Sequence, residues 1–364
     1  MSQRDDSRAS AASDDGTEQP NALSARRFTG PEAFEREKET VFGRDWVYVG
    51  HADSIAEPGQ YFTRNIGDRQ LIVVRGHDGE VKAFDNVCAH RGSKMVEDTP
   101  MTDPGGGGRI QCPYHLWTYD LDGDLRSTPK SFEDARLNPD LEDDEVQEFD
   151  CETNGLNDVR VDTVGPLVFV TLADDAPTAP SEGADGVAER LGSLPLEEYE
   201  HARRIVSEVA CNWKLFAAVH FDGSEERDGD GTLAIAEDGW TVESASDDDG
   251  SEDRRPDGIE AQFHYRWPNV AVDVYDAVDG YGTVVLDPVG PDRVQLIADY
   301  YFRDGDRSEQ ERELVRRTRE RRAEDADRAE QQWAALESGA SAQVGVTDRI
   351  AAKLRQLVRE GSDA

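Results

Sequence analysis

Lysine is nearly missing from this 364-residue chain: Lys38, Lys82, Lys94, Lys130, Lys214 and Lys353 are the whole complement. With 78 Asp and Glu against 40 Lys and Arg, the formal net charge is −38. Such a field repels nucleic acids and anionic membrane surfaces, which bind clustered cations, so neither is expected as a partner. Acid spread along the whole chain, with so little lysine, suggests a halophilic protein whose self-repulsion is screened by concentrated salt. An acidic surface imitating DNA fits less well, because the acid is not gathered in one segment. Long apolar runs are also lacking; none approaches the ~20 residues of a membrane helix. The start, Met1 to Asn21, has no apolar core of a secretory signal, and a soluble, cytoplasmic chain is expected. Four cysteines in a chain this long do not make a disulfide framework. Cys151 and Cys211 stand alone and are read as small buried hydrophobes. Cys88 and Cys112 each have a histidine close by.

The length suits about two domains. Residues 1–27 are expected to be a disordered acidic tail. Thr29-Gly30-Pro31 then opens a helix within 28–43, with Phe34, Val41 and Phe42 on its apolar stripe. Over 44–172 the pattern becomes short strands, including Gln70–Arg75, Val81–Phe84, Trp117–Leu121 and Leu167–Leu172. His77-Asp78-Gly79 and Asp122-Gly123-Asp124 mark turns between them. Residues 173–364 mix helix and strand. They carry a helix near Asn212–Val219, strands near Glu260–Trp267, Ala271–Tyr275, Gly282–Leu286 and Gln295–Phe302, and a long charged helix over Ser308–Leu336. An acidic low-complexity loop lies near 243–258. The four glycines Gly105–Gly108 lack the Lys-Ser/Thr that completes a phosphate loop, and read as an insertion.

The chemistry concentrates in two loops, Asn86-Val87-Cys88-Ala89-His90-Arg91-Gly92 and Cys112-Pro113-Tyr114-His115-Leu116-Trp117. Each offers one thiolate and one imidazole. A Rieske-type [2Fe–2S] cluster, with two cysteines on one iron and two histidines on the other, needs that partition, and the neutral imidazoles raise its potential. Gly92 allows tight backbone approach, Pro113 restricts its loop, and Tyr114 and Trp117 can shield the cluster and tune it by hydrogen bonds. Structural zinc also takes two cysteines and two histidines, but its usual spacing pairs Cys with Cys and His with His.

On these residues the chain resembles the α subunit of the Rieske non-haem iron oxygenases: the ring-hydroxylating dioxygenases and their carnitine, choline and betaine monooxygenase relatives. The likeness extends through Phe42-Gly43-Arg44-Asp45-Trp46, Ala83 to Cys88, Trp117 to Gly123, Asn212-Trp213-Lys214 and Trp267-Pro268-Asn269. It implies an α+β fold, with a β-rich Rieske [2Fe–2S] domain and an α+β catalytic-type domain built on an antiparallel sheet. The helix of 28–43 then belongs to the second domain. It further implies a ferredoxin or flavin reductase as electron donor, a homotrimer or larger homo-oligomer, and oxygenation of a small organic substrate at a mononuclear Fe(II).

At that second iron the pattern breaks. The family binds it with two histidines and one carboxylate. Counting on from Asn212-Trp213-Lys214 places the histidine positions at Glu225 and Asp230. The acidic residue that bridges to a neighbouring subunit's cluster falls on Asp222, and the carboxylate ligand on Asp325. Asp325 precedes Ala329 by four and Leu336 by eleven, on the expected buried edge of its helix. Three readings stay open: an altered iron site using Glu225, Asp230 and Asp325, with or without His220; a Rieske electron-transfer protein that has lost the iron; or a shifted register, although no His–x₄–His pair lies nearby. His220 and His264 are each either ligands or packing residues.

Overall fold

The structure, a computed structural model, describes residues 22–24, 30–97, 108–128, 154–183, 186–221, 232–236, 239–243, 261–275, 278–303, 308–339 and 343–345. Cys151, Asp222, Glu225, Asp230, most of residues 1–27 and nearly all of the acidic loop at 243–258 lie outside them. Ala22–Ser24 (β1) pairs antiparallel with Gln343–Gly345, the last strand. Pro31 occupies the first turn of α1 (Pro31–Glu37), where its missing N–H is no loss, and the chain runs on as a wider turn over Lys38–Phe42. Phe34, Val41 and Phe42 are buried on the expected stripe.

Val47–His51 (β2), Tyr61–Ile66 (β3), Arg69–Arg75 (β4), Val81–Asp85 (β5), Asp158–Val164 (β9) and Leu167–Thr171 (β10) form a six-stranded antiparallel sheet. Its order is β2-β10-β9-β5-β4-β3. Arg109–Gln111 (β6), Thr118–Asp120 (β7) and Leu125–Ser127 (β8) make a separate three-stranded meander. Gly123 turns β7 into β8 at φ 85°, and a Cβ there would lie 2.5 Å from the Phe84 ring, so only glycine fits.

The second sheet has seven antiparallel strands: Glu200–Val209 (β11), Thr232–Ala236 (β12), Gly239–Glu243 (β13), Ala261–Arg266 (β14), Val270–Tyr275 (β15), Gly280–Gly290 (β16) and Arg293–Phe302 (β17). Their order is β11-β17-β16-β15-β14-β13-β12. On one face lie Trp213–Phe221 (α3) and the long Glu309–Glu337 (α4), whose Phe216, Ala329 and Trp333 share a core with Phe263, Tyr265 and Tyr300. On the other lie Val187–Gly192 (α2) and the first sheet, through Trp46, Phe169, Val270 and Tyr281. Ser308 and Glu311 close a capping box that fixes where α4 begins. The fold is α+β, and no helix among the described residues is long and apolar enough to cross a membrane.

The two sheets are joined by buried polar contacts rather than by a linker alone. Asn269 accepts from the Tyr48 N–H at 3.0 Å and donates to the Tyr48 carbonyl at 2.9 Å. Arg266 donates to the Trp46 carbonyl, and Trp267 to Asp45. Asn212-Trp213-Lys214 has a visible local purpose: Trp213 and Lys214 both donate to Glu37, tying α1 to the foot of α3.

Candidate metal centre

The two cysteine–histidine loops hang from the edge of the first domain and are held by their own backbones. In the first, the Cys88 N–H donates to the Ser93 carbonyl at 2.8 Å, and the Gly92 N–H returns to the Cys88 carbonyl at 2.9 Å. Asn86, buried at the loop's root, accepts from the Met95 and Val96 N–H groups and donates to the Val96 carbonyl and Gln70. In the second, the Cys112 N–H donates to the Trp117 carbonyl at 2.9 Å, and the Leu116 N–H to the Cys112 carbonyl at 3.1 Å. This tight return forces Leu116 to φ 58°, a left-handed conformation unfavourable for a side chain with a Cβ.

The loops bring their donors together in two pairs. The Cys88 and Cys112 thiols are both buried in the same core cluster, close enough to feel one another's charge. The His90 and His115 rings meet edge to face, 4.7 Å between centroids. Burial pushes the Cys88 thiol above its ordinary value, while the Tyr119 hydroxyl, 3.4 Å from Sγ, pulls it back. Among the described residues no three His, Cys, Asp or Glu side chains gather around a single ion, as tetrahedral zinc requires. Sulfur paired with sulfur and imidazole with imidazole is the donor set of a binuclear cluster, and these residues fit a [2Fe–2S] group.

The two aromatic residues of the second loop differ in burial. Trp117 is buried and stacks on His90, 4.7 Å apart and 10° from parallel. Tyr114 is 68% exposed. The hydroxyl that reaches the Cys88 sulfur belongs to Tyr119, two residues beyond Trp117 and buried in β7, and it also accepts from the Ala89 N–H. Alternation after Trp117 was the available signal for it.

The second site is different in kind. His220 Nδ1 and Asp325 Oδ2 lie 2.6 Å apart, both buried between α3 and α4, and Asp325 also accepts from Arg328. Burial lowers the His220 pKa, against the pull of Asp325. A family-type iron needs a second imidazole here, and the chain holds seven histidines in all. His90 and His115 are in the loops. His51 bonds Tyr281 at 2.6 Å, His201 bonds Asp299 at 3.0 Å, and His77 lies against Gly108 in the first domain. His264 alternates with Phe263 and Tyr265 and so faces away from α3 and α4, in the field of Asp273 and Arg190. That leaves His220 alone beside Asp325, and the residues present do not fit a two-histidine, one-carboxylate iron.

A Rieske [2Fe-2S] domain model matches residues 45–147, which contain both loops. The chain is 31% identical over 194 residues to the carnitine monooxygenase oxygenase subunit of Acinetobacter baumannii, covering 52% of this chain and 47% of that protein. It is 29% identical over 296 residues to the chloroplastic choline monooxygenase of Amaranthus tricolor, covering 76% of this chain and 62% of that protein. The chain thus spans about half to three-fifths of the length of these relatives. A solved quaternary ammonium Rieske monooxygenase in complex with L-carnitine superposes with a TM-score of 0.74 at 22% identity, covering 93% of this chain and 95% of that one. That likeness establishes the fold. Paired donors on two loops and the domain match together show a Rieske [2Fe–2S] domain, in a chain similar to the oxygenase subunits of Rieske monooxygenases.

Proposed function

We propose that the protein is the oxygenase-type subunit of a Rieske electron-transfer system. It takes electrons from a ferredoxin or flavin reductase, and a small organic substrate is oxygenated in its second domain. Cys88, His90, Cys112 and His115 are the cluster ligands, and the observation that carries the reading is their meeting as a thiol pair and an imidazole pair. A [2Fe–2S] cluster there supplies one-electron transfer, at a potential raised by the two neutral ligands. The chain's own residues set its surroundings: Tyr119 hydrogen-bonds the Cys88 sulfur, Trp117 fixes the His90 ring, and Asn86 holds the first loop.

At the second centre Asp325 is the proposed carboxylate ligand, with Glu225 and Asp230 at the places of the family's histidines and Asp222 as the bridge to a neighbouring subunit. A homotrimer or larger ring brings one subunit's cluster to that bridge. The acid composition supports a cytoplasmic, salt-adapted setting. The quaternary ammonium compounds named for its relatives are the first substrates to try. One observation favours the rival reading, an electron-transfer protein without oxygenation: only one histidine stands beside Asp325, hydrogen-bonded to it.

Oxygen uptake decides between them. The full-length protein, reduced through a reductase and ferredoxin with Fe(II) present, is given carnitine, choline and glycine betaine in turn. Substrate-dependent uptake with demethylated or cleaved product supports the oxygenase. A cluster that cycles with the donor while no substrate raises oxygen uptake overturns it and leaves the electron-transfer role.

A further inference from the structure

Acidic residues outnumber basic ones 78 to 40 along the chain, yet one groove reverses the balance. It lies between the edge strand β11 and α4, encloses about 440 Å³, and carries four arginines, Arg203, Arg312, Arg316 and Arg319, against one acid, Glu320. Positions 312, 316 and 319 fall on one face of α4, while Arg203 comes from β11 on the opposite wall. Ile205, Val315 and Ala323 supply an apolar floor.

Glu320 is already engaged, accepting from Arg316 at 2.7 Å through both oxygens, and Arg316 also bonds Glu313. The guanidiniums of Arg203, Arg312 and Arg319 pair with no described residue. Three cations that no described residue neutralises face one concavity and repel one another, although the chain is rich in carboxylates. Guanidinium forks match carboxylate and phosphate oxygens two at a time. The volume is that of a metabolite site.

We propose that this groove binds a small polyanion, a molecule carrying two or more carboxylate or phosphate groups, held by Arg203 on one wall and by Arg312 and Arg319 on the other. The site is independent of the cluster and of oxygenation. Its apolar floor accommodates a short carbon body between the anionic ends.

Titration calorimetry on the full-length, cluster-containing protein tests this, with citrate and pyrophosphate as separate probes in potassium chloride. The expected result is saturable one-to-one binding of at least one probe, weakened tenfold or more by R203Q with R319Q. Citrate alone identifies a carboxylate ligand, and pyrophosphate alone a phosphate. The pair R126Q and R317Q removes the same charge from exposed positions outside the groove and should leave affinity within about twofold. All these arginines are exposed, and the cluster absorbance checks that each variant is folded. Absence of saturable binding by both probes, as for a groove that instead docks an acidic protein, overturns the proposal. Equal weakening by both variant pairs does so too, since it means a diffuse field rather than a site.

Discussion

Asn86 uses both ends of its side chain, accepting twice and donating twice at the base of the first cluster loop. Asn86→Ala leaves buried N–H and C=O groups without partners and should cost roughly 3 kcal/mol, read as a lower guanidinium midpoint together with earlier loss of cluster absorbance. Tyr119→Phe removes the hydrogen bonds at the Cys88 sulfur and the Ala89 N–H; the cluster should remain, at a lower reduction potential in a redox titration. Leu116 carries its strain in the backbone, so Leu116→Val, β-branched and worse in a left-handed position, should destabilise by about 1 kcal/mol relative to Leu116→Gly. The four donors were legible in the sequence because their spacing alone encodes them. Asn86 and Tyr119 were not, since each acts on residues nine to thirty-one positions away that only the folded loops bring near.

At the scale of elements, periodicity and turn residues carried most of the information. The strands expected over Gln70–Arg75, Val81–Phe84 and Leu167–Leu172 fall within one residue of β4, β5 and β10. The long helix is likewise found at Glu309–Glu337, its start set by a capping box written in Ser308 and Glu311. What stayed hidden is how the sheets meet, because Asn269 reaching Tyr48 and His51 reaching Tyr281 have no local signal. Those contacts have a pH signature. Burial holds His51 down to about 3 and His264 to about 4, from an ordinary 6.5. The unfolded chain therefore takes up protons near pH 6.5 that the folded chain refuses. Stability should be intact above pH 6.5 and fall as pH drops toward 4, by up to about 1.4 kcal/mol per pH unit for each histidine. Urea midpoints between pH 7.5 and 4.5 measure it, and replacing His264 by glutamine should flatten the slope.

For the molecule as a whole, a net charge of −38 dominates. Raising potassium chloride from 0.1 M to 1 M shortens the screening length from about 10 Å to about 3 Å, so the thermal midpoint should climb over that range. A flat response would mean that the acid is locally neutralised. The cluster claim itself is tested most directly by iron and acid-labile sulfide per chain in anaerobically purified protein, wild type beside Cys112→Ser, His115→Ala and Cys211→Ala. Cys211 is fully buried with its thiol pushed up to about 12, an inert control. The account predicts two sulfides with at least two irons and a reduced-state EPR signal in the wild type and the Cys211 variant, with the sulfide and the signal lost in the other two. Bound zinc without sulfide, or full retention of sulfide and signal in Cys112→Ser, would contradict it.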